Sequence, residues 1–291
     1  MIRVEVSHAE LVRDVAARLA AAGVPTPEVD ARLLVEHVVE VVGDPTGCGG
    51  ALLDGLVARR VAREPLQLVL GRTWFRTLEL ECAPGVFIPR PETEVVAGFA
   101  IAAARDHGAA TVVEPCCGTG AIGLSVAVEV PDVRVVCGDV DPRAVELART
   151  NLARVVAGAA GPSGLASGSA VEVVVSDLLD GLDPMLAGRV DVLVANPPYL
   201  PSGDRGSWEP EVAEHDPGGA LVGGDDGHEV VDALVAAAPR WLAAGGILVV
   251  EVDERRAADA ADRARHHGLV EVRVEPDLTG APRAVLARRP R

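Results

Sequence analysis

The chain contains no lysine; all 27 of its basic residues are arginine. Against 43 acidic residues they leave a formal net charge of −16. That balance weighs against a nucleic-acid surface, because phosphate contacts draw on clustered Lys and Arg. With so much Ala, Gly and Val, the missing lysine reads as the codon bias of a GC-rich genome and carries no functional message. Aromatic residues are scarce at 2%, with a single tyrosine, Tyr199. No uninterrupted apolar run approaches the roughly 18 residues of a membrane-spanning helix. The start, MIRVEVSHAELVRD, carries charges where a leader peptide has an apolar core. No membrane association is therefore expected, and the cytoplasm is the expected compartment. The cysteines Cys48, Cys82, Cys116, Cys117 and Cys137 form neither a zinc spacing nor an even disulfide set. They are expected to be reduced, and no metal is expected.

What is present divides into two grammars. At 291 residues and 49% hydrophobic, the chain can bury one large core with a smaller accessory domain. From His8 to about Val42 apolar residues recur at helical spacing, with Thr26 as a cap and Pro27 in the first turn of a second helix. ALLDGLVARRVARE predicts a further helix, so residues 1–71 read as a small helical domain. Residues 72–88 alternate and carry a Pro-Gly turn, as a β-hairpin connector does. From residue 89 to 291, β-branched runs (ATVVEP, VRVVCGD, VEVVVSD, VDVLVAN, GILVVEV) mostly alternate with helical stretches, which predicts a parallel sheet covered on both faces. VEVRVEP and AVLARR are joined too closely for a parallel crossover and predict an antiparallel hairpin. Residues 157–170 read as a flexible loop, and 201–229 as a long unpatterned segment of the kind that forms lids or binding loops.

TVVEPCCGTGAIGLSVA is a strand, a glycine-rich turn and a helix. Gly118, Gly120 and Gly123 satisfy G-x-G-x-x-G, and Asp139 follows at the end of the next strand, where it can accept hydrogen bonds from ribose hydroxyls. Taken alone the pattern also suits a helix-capping turn and a solvated Asp; strand, loop, helix, strand and Asp in register favour a nucleoside-containing cofactor. NAD fits the fingerprint. S-adenosylmethionine fits better, because Glu114 before the turn and Asp177 at a further strand end add an acidic surrounding for its sulfonium and amino groups.

VDVLVAN then runs into Pro-Pro-Tyr. Proline cannot donate to a sheet, so the strand stops there. Asn-Pro starts many turns for purely local reasons, but here the strand delivers Asn196 to the carboxyl edge of the sheet, where ligands bind in open parallel folds. An amide or aromatic amine nitrogen is a feeble nucleophile, and methylating it calls for fixed acceptors that orient its hydrogens. The Asn196 side-chain oxygen and the Pro197 carbonyl, held rigid by Pro197 and Pro198, supply two. Tyr199 adds a flat wall for a planar group.

These blocks resemble a known family. Asn-Pro-Pro-Tyr after the fourth strand is shared by class I methyltransferases acting on planar nitrogen. EPLQLVLG, GVFIPRPETEVV, GTGAIGL, GDVDPRAVELARTN, SDLL, EHDPGGALVGGDDG and WLAAGGILVVEV look like successive blocks of the HemK/PrmC family of release-factor glutamine N(5)-methyltransferases, over nearly the whole chain. The resemblance implies an α/β class I methyltransferase (Rossmann-like) fold: a seven-stranded, mostly parallel sheet with an antiparallel C-terminal hairpin, plus a small all-α N-terminal domain. It implies S-adenosylmethionine as cofactor and a release factor as protein substrate, gripped at the glutamine of a Gly-Gly-Gln loop while the N-terminal domain docks the rest. By position, cofactor residues fall on Cys116, Cys117, Gly118, Thr119, Gly120, Asp139 and Leu178. Substrate-amide residues fall on Asn196, Pro197, Pro198 and Tyr199, and Arg90 and Thr93 are expected beside the cofactor. Transfer to a small metabolite is the alternative, and transfer to a nucleic-acid base a more distant one.

Three departures stand out. Cys116 replaces the usual first glycine of the turn, so its backbone is expected to avoid positive φ. Leu178 stands where many relatives carry an aromatic, and the customary Glu-x-Gly-x-x-Gln reads EVDERR from Glu251 to Arg256. His215, Asp216, Asp225, Asp226 and His228 match no metal-ligand spacing and are expected to be solvated loop residues. His266 and His267 close a helix favourably for its dipole.

Overall fold

The computed structural model describes residues 8–108, 110–161 and 163–291, without the side chains of Cys48, Arg205 and Ser207. The first seven residues of the expected helical domain, Pro162 of the expected flexible loop and the Cys48 thiol lie outside the described residues. The chain forms two compact units: residues up to Arg72 together with Glu209–His215, and Thr73–Trp208 together with Asp216–Arg291.

The first unit is helical, with α1 (His8–Ala21), α2 (Pro27–Val42), α3 (Gly47–Val61) and α4 (Leu66–Leu70). Val15, Leu19, Leu34, Val35, Val38 and Val57 close its core. Pro27 starts α2 where its missing N–H costs nothing, and Gly43 ends it in the left-handed conformation with φ 78°. Thr26 does not cap through its side chain; its hydroxyl bonds Asp30 at 2.8 Å instead. Asp30 in turn accepts Arg60 Nε at 2.7 Å, both nearly buried. A short helix from far along the chain, α8 (Pro210–His215), belongs to this unit as well. Its Glu211 accepts Arg63 Nη2 at 2.6 Å and Arg60 Nη1 at 2.9 Å. Burial would raise the Glu211 pKa, but the hydrogen bonds of Arg63 and Arg60 outweigh it and carry the value down to about 2.

The second unit opens with a hairpin, β1 (Arg72–Phe75) and β2 (Leu78–Glu81). The turn falls at Arg76-Thr77, with Arg76 at φ 53°, and not at Pro84-Gly85. Those two residues lie beyond β2. Then follow α5 (Thr93–His107), β3 (Thr111–Pro115), α6 (Ala121–Glu129), β4 (Arg134–Asp139), α7 (Pro142–Val156), β5 (Ala170–Val175) and β6 (Val190–Ala195). The chain continues through α9 (Gly218–Leu221), α10 (Glu229–Trp241), β7 (Leu242–Glu251), α11 (Ala257–His266), β8 (Val270–Pro276) and β9 (Pro282–Arg288).

The strands form a seven-stranded sheet in the order β5-β4-β3-β6-β7-β9-β8, parallel except where β9 runs against β7 and β8. Alternation along each strand splits the core in two. Val112, Val135, Val192, Val194, Ile247 and Val249 face one apolar cluster, with α5, α6 and α7. Val113, Val136, Leu193, Ala195, Leu248 and Val250 face the other, with α10 and α11. Both faces are covered, which is why these strands read as unbroken apolar runs.

Asp141 caps α7 by accepting from the Arg143 N–H. Asn151, fully buried inside α7, bonds Glu81 N at 2.7 Å, Glu81 O at 3.2 Å and Thr119 O at 3.0 Å, tying the hairpin to the glycine turn. Strand order reverses between β3 and β6, and ligands of open parallel sheets bind beyond the carboxyl ends at such a reversal.

Candidate active site at the strand-order reversal

A cavity of about 280 Å³ opens at that reversal. From the β3 turn it is lined by Glu114, Cys116, Cys117, Gly118 and Thr119, and from the ends of β4 and β5 by Asp139, Ser176, Asp177 and Leu178. Asn196 and Pro198 line it from β6, and Thr93 from α5. Of the residues singled out for the site from sequence, Gly120, Gly123, Pro197, Tyr199 and Arg90 are not on its wall.

The β3 turn is built by backbone conformation. Cys116, Gly118 and Gly120 all take positive φ, at 64°, 54° and 80°. The expectation that Cys116 avoids this region is overturned: the chain must double back as soon as β3 ends, and the residue there accepts a strain on the order of 1–2 kcal/mol. Leu178 at φ 48° is a second such residue on the same cavity. Gly123 answers a packing need, since a Cβ there would sit 2.4 Å from Cys137 Sγ and 2.7 Å from Glu114 Oε2. Helix and sheet touch at this glycine, as the fingerprint requires.

Two acids serve the turn differently. Glu114 is buried beneath it; Oε2 accepts the Gly123 N–H at 2.8 Å and the Cys137 thiol at 3.4 Å. Burial pushes its pKa up to about 8 against those hydrogen bonds. Asp139 accepts Gly118 N at 2.9 Å on one oxygen and Asp141 N at 3.0 Å on the other, so the carboxylate is aimed by backbone on both sides. Burial raises its pKa, opposed by those N–H donors. Each oxygen keeps a lone pair for a hydroxyl donor. The Thr119 hydroxyl, 2% exposed, has no partner among the described residues and belongs to the same wall. Burial drives the Cys116 and Cys117 thiols well above their ordinary range, so neither is a thiolate nucleophile. The described thiols Cys82, Cys116, Cys117 and Cys137 are unpaired.

At the end of β6 the Asn196 side chain has one hydrogen bond among the described residues, from Nδ2 to Thr93 Oγ1 at 3.1 Å. Its Oδ1 is left as an acceptor on a cavity-lining residue. Tyr199 does not form a wall of this cavity. It packs into the core on the α10 side, and its hydroxyl donates to Glu251 Oε1 at 3.2 Å. Pro197 and Pro198 offer no N–H, and a Pro-Pro pair cannot keep alternating as a strand does, so the expectation from alternation ends with them.

The segment after Tyr199 is not structureless. Leu200 bridges Val222, and Leu200 N and Ser202 N bond Leu221 O and Gly224 O. A Cβ at Gly223 would lie 2.4 Å from Pro198 O, and one at Gly227 would lie 2.5 Å from Tyr199 O. The Gly-Gly-Asp-Asp-Gly run is therefore glycine where the exit from β6 crosses it. Pro217, Gly219 and Ala220 return to the cavity wall. Just before them Asp216 pairs with Arg90, which lies over the Phe87 ring at 5.1 Å, and Phe87 lines the cavity. Asp216 and His228 are buried, not solvated. No group of three or more metal-ligating side chains occurs among the described residues, and no helix among them is long and apolar enough to cross a membrane.

Sequence reasoning gave no site role to Asn151, Ser176 or Glu251. Asn151 and Glu251 left a trace: each is a polar residue where the periodicity calls for an apolar one.

Residues 84–207 match the Methyltransferase small domain family. The release factor glutamine methyltransferase of Mycolicibacterium smegmatis is 43% identical over 282 residues, covering 94% of each chain. That of Streptomyces coelicolor is 40% identical over 298 residues, again covering 94% of each. Among solved structures, a methyltransferase from Pyrococcus furiosus shares the fold, with a TM-score of 0.52 at 20% identity over 74% of this chain and 90% of that one. The seven-stranded sheet with its antiparallel end is the class I methyltransferase architecture. At this identity over nearly its whole length, the chain belongs to the release factor glutamine methyltransferase family.

Proposed function

We propose that the protein methylates the side-chain amide nitrogen of a glutamine in a peptide chain release factor, using S-adenosylmethionine. One observation carries it: Asn196, with its Nδ2 engaged by Thr93 and its Oδ1 free to accept, shares a cavity with the glycine turn and Asp139. S-adenosylmethionine supplies an electrophilic methyl on its sulfonium.

The residues present suit that cofactor. Asp139 accepts the ribose hydroxyls on lone pairs its backbone donors leave open. Thr119 offers an otherwise unpartnered hydroxyl, Leu178 an apolar flank for the base, and Asp177 an acidic surrounding, while Glu114, with its pKa pushed up to about 8, holds the turn from beneath through the Gly123 N–H. Cys116, Cys117, Gly118 and Gly120 shape the turn so that backbone approaches the ligand closely. Asn196 Oδ1 and the Pro197 carbonyl accept the two amide hydrogens and present the nitrogen lone pair to the methyl. Pro198 keeps that pair rigid, and Tyr199 anchors it from below through Glu251. Arg90 acts at one remove, by holding Asp216 ahead of Pro217. No general base is required, because an alkylated amide nitrogen is acidic and sheds its proton after transfer. The rate enhancement rests on orientation, worth roughly several kcal/mol.

The helical unit would dock the body of the release factor, and such a substrate would place the protein in the cytoplasm. Incubation with methyl-labelled S-adenosylmethionine and purified release factors, followed by peptide mass spectrometry, should find one methyl on the glutamine of a Gly-Gly-Gln loop. Label appearing only on small metabolites or on nucleic acid would overturn the proposal.

A further inference from the structure

Ser176 follows the last residue of β5 and is 3% exposed. Its N–H donates to Asp139 O at 2.9 Å, which ties it through backbone to the residue that accepts the ribose. Its hydroxyl is engaged on both sides: Oγ donates to Leu178 O at 2.7 Å and accepts the Gly181 N–H at 3.0 Å. A serine hydroxyl has one hydrogen, so the direction of both bonds is fixed by the carbonyl and the N–H they meet. Two glycines make room for this side chain. A Cβ at Gly138 would sit 3.2 Å from Ser176 Cβ, and one at Gly181 would sit 2.8 Å from Ser176 Cα and 3.0 Å from Oγ. The chain from 176 to 181 is thus wound around a buried hydroxyl.

What that turn carries is a wall of the cavity. Asp177 is exposed, Leu178 is half-buried, and both line the site. Leu178 stands at φ 48°, a region that a leucine rarely occupies and leaves when nothing holds it there. The far side of the turn is anchored by Asp180 N on Asp177 O at 3.0 Å and by Leu179 and Leu182, buried in the cluster on the α10 side. The near side is anchored by the Ser176 hydroxyl, at the carbonyl of the strained residue itself. A wall held in place before the ligand arrives spares binding the cost of ordering it.

We infer that Ser176 is a positioning residue for the base of the cofactor: its hydroxyl clasps the turn that carries Asp177 and Leu178 and keeps them as a preformed wall, an inference that rests on the proposed placement of the base against Leu178. The N–H and the hydroxyl of one serine therefore serve neighbouring parts of one ligand. Removing the hydroxyl leaves the N–H on Asp139 in place, so the base end is loosened while the ribose end is kept.

The test uses the full-length protein and two ligands that differ by the base alone, S-adenosylhomocysteine and S-ribosylhomocysteine, with affinities measured by calorimetry. Ser176→Ala should weaken S-adenosylhomocysteine on the order of tenfold, the worth of two hydrogen bonds that preorganise a wall, and should leave S-ribosylhomocysteine within about twofold of wild type. In methyl transfer to a release factor, the KM for S-adenosylmethionine should rise by the same factor with a much smaller change in kcat, because Asn196 and its neighbours are untouched. Gly181→Ala, whose Cβ would press on Ser176 Cα and Oγ, should reproduce the base-selective loss with the hydroxyl still present. Ser176→Thr retains a hydroxyl and should recover most of the affinity. Equal loss of both ligands in Ser176→Ala, as a merely structural role would give, or unchanged affinity for S-adenosylhomocysteine, overturns the inference. Leu178→Ala tells its failure from that of the reading beneath it. If that variant keeps the wild-type preference for the base-bearing ligand, the base does not lie against Leu178; if it loses the preference while Ser176→Ala keeps it, the role of Ser176 alone is wrong.

Discussion

The two strands that flank the order reversal end in opposite ways. β3 leaves through a turn of positive-φ residues, where Cys116, Gly118 and Gly120 bend the chain and the N–H groups of Cys117, Gly118 and Gly120 are bonded to Gly138 O, Asp139 Oδ2 and Cys117 O. β6 leaves through Pro197 and Pro198, which delete N–H groups and stiffen what remains. One end thus turns sharply and lets backbone come close, the other offers acceptors and rigidity. The difference matches two tasks. A large polar cofactor needs close backbone approach, whereas a neutral amide needs oxygens that stay in place while it reacts. Each end also has a buried carboxylate next to it. Glu114 holds a backbone N–H of the turn, and Glu251 holds the Tyr199 hydroxyl.

If the ends divide the work in this way, removing a side chain from each should give opposite phenotypes. Asn196→Ala should lower turnover at saturating substrates on the order of a hundredfold to a thousandfold, as losing a preorganised polar group at a reacting centre does. Its cofactor affinity, measured by calorimetry, should hold. Asp139→Ala should weaken cofactor binding about tenfold to a hundredfold, the worth of a charge-assisted hydrogen bond, with a smaller effect on turnover once the site is saturated. If both variants lost affinity alike, the division between the two ends would be wrong.

The carboxylate under the glycine turn gives a second contrast, read in stability. Glu114 has a folded-state pKa of about 8 against an ordinary 4.5. The folded protein therefore binds its proton more tightly than the unfolded chain, and the stability this adds is complete below about 4.5 and lost as pH rises through about 8. Glu114→Gln keeps an oxygen for the Gly123 N–H and does not titrate. Its melting temperature, measured without cofactor, should gain on wild type as pH is raised across that window. Parallel curves at all pH values would mean that Glu114 is charged throughout in the folded protein.

The sheet was legible because its strands are buried on both faces, and unbroken β-branched runs such as VVV and VDVLVA suit little else than a doubly covered strand. The cofactor turn was legible because glycine spacing and an acidic strand end are local. What escaped is non-local or depends on side-chain direction. Arg60 and Glu211 lie 151 residues apart, so nothing near either announces that α8 joins the helical unit. Tyr199 follows two prolines, where alternation no longer says which way a side chain points, and it turned into the core. Asp216 and His228 looked like loop residues by composition, yet the segment around them is bonded to the β6 exit and buried. Cys116 failed for a different reason: avoidance of positive φ is a modest energetic preference, and a turn fixed by its neighbours overrides it.

That last case yields the smallest predicted effect and a fine discriminator between the two ends. At residue 116 the backbone angle should govern what is tolerated, whereas at residue 196 the side chain should. Cys116→Gly relieves a left-handed residue at φ 64°. The gain of about 1–2 kcal/mol is offset by the greater unfolded-state freedom of glycine and by the lost packing of a half-buried thiol. The net change in unfolding free energy should stay within about 1 kcal/mol of wild type. Cys116→Val also removes the thiol but places a β-branched side chain where such residues are genuine outliers, and it should cost roughly 1–3 kcal/mol. Chemical denaturation of the three proteins decides it. Equal stability of the glycine and valine variants would mean that the turn relaxes to an ordinary backbone angle, and the contrast with the proline-stiffened end of β6 would lose its conformational basis.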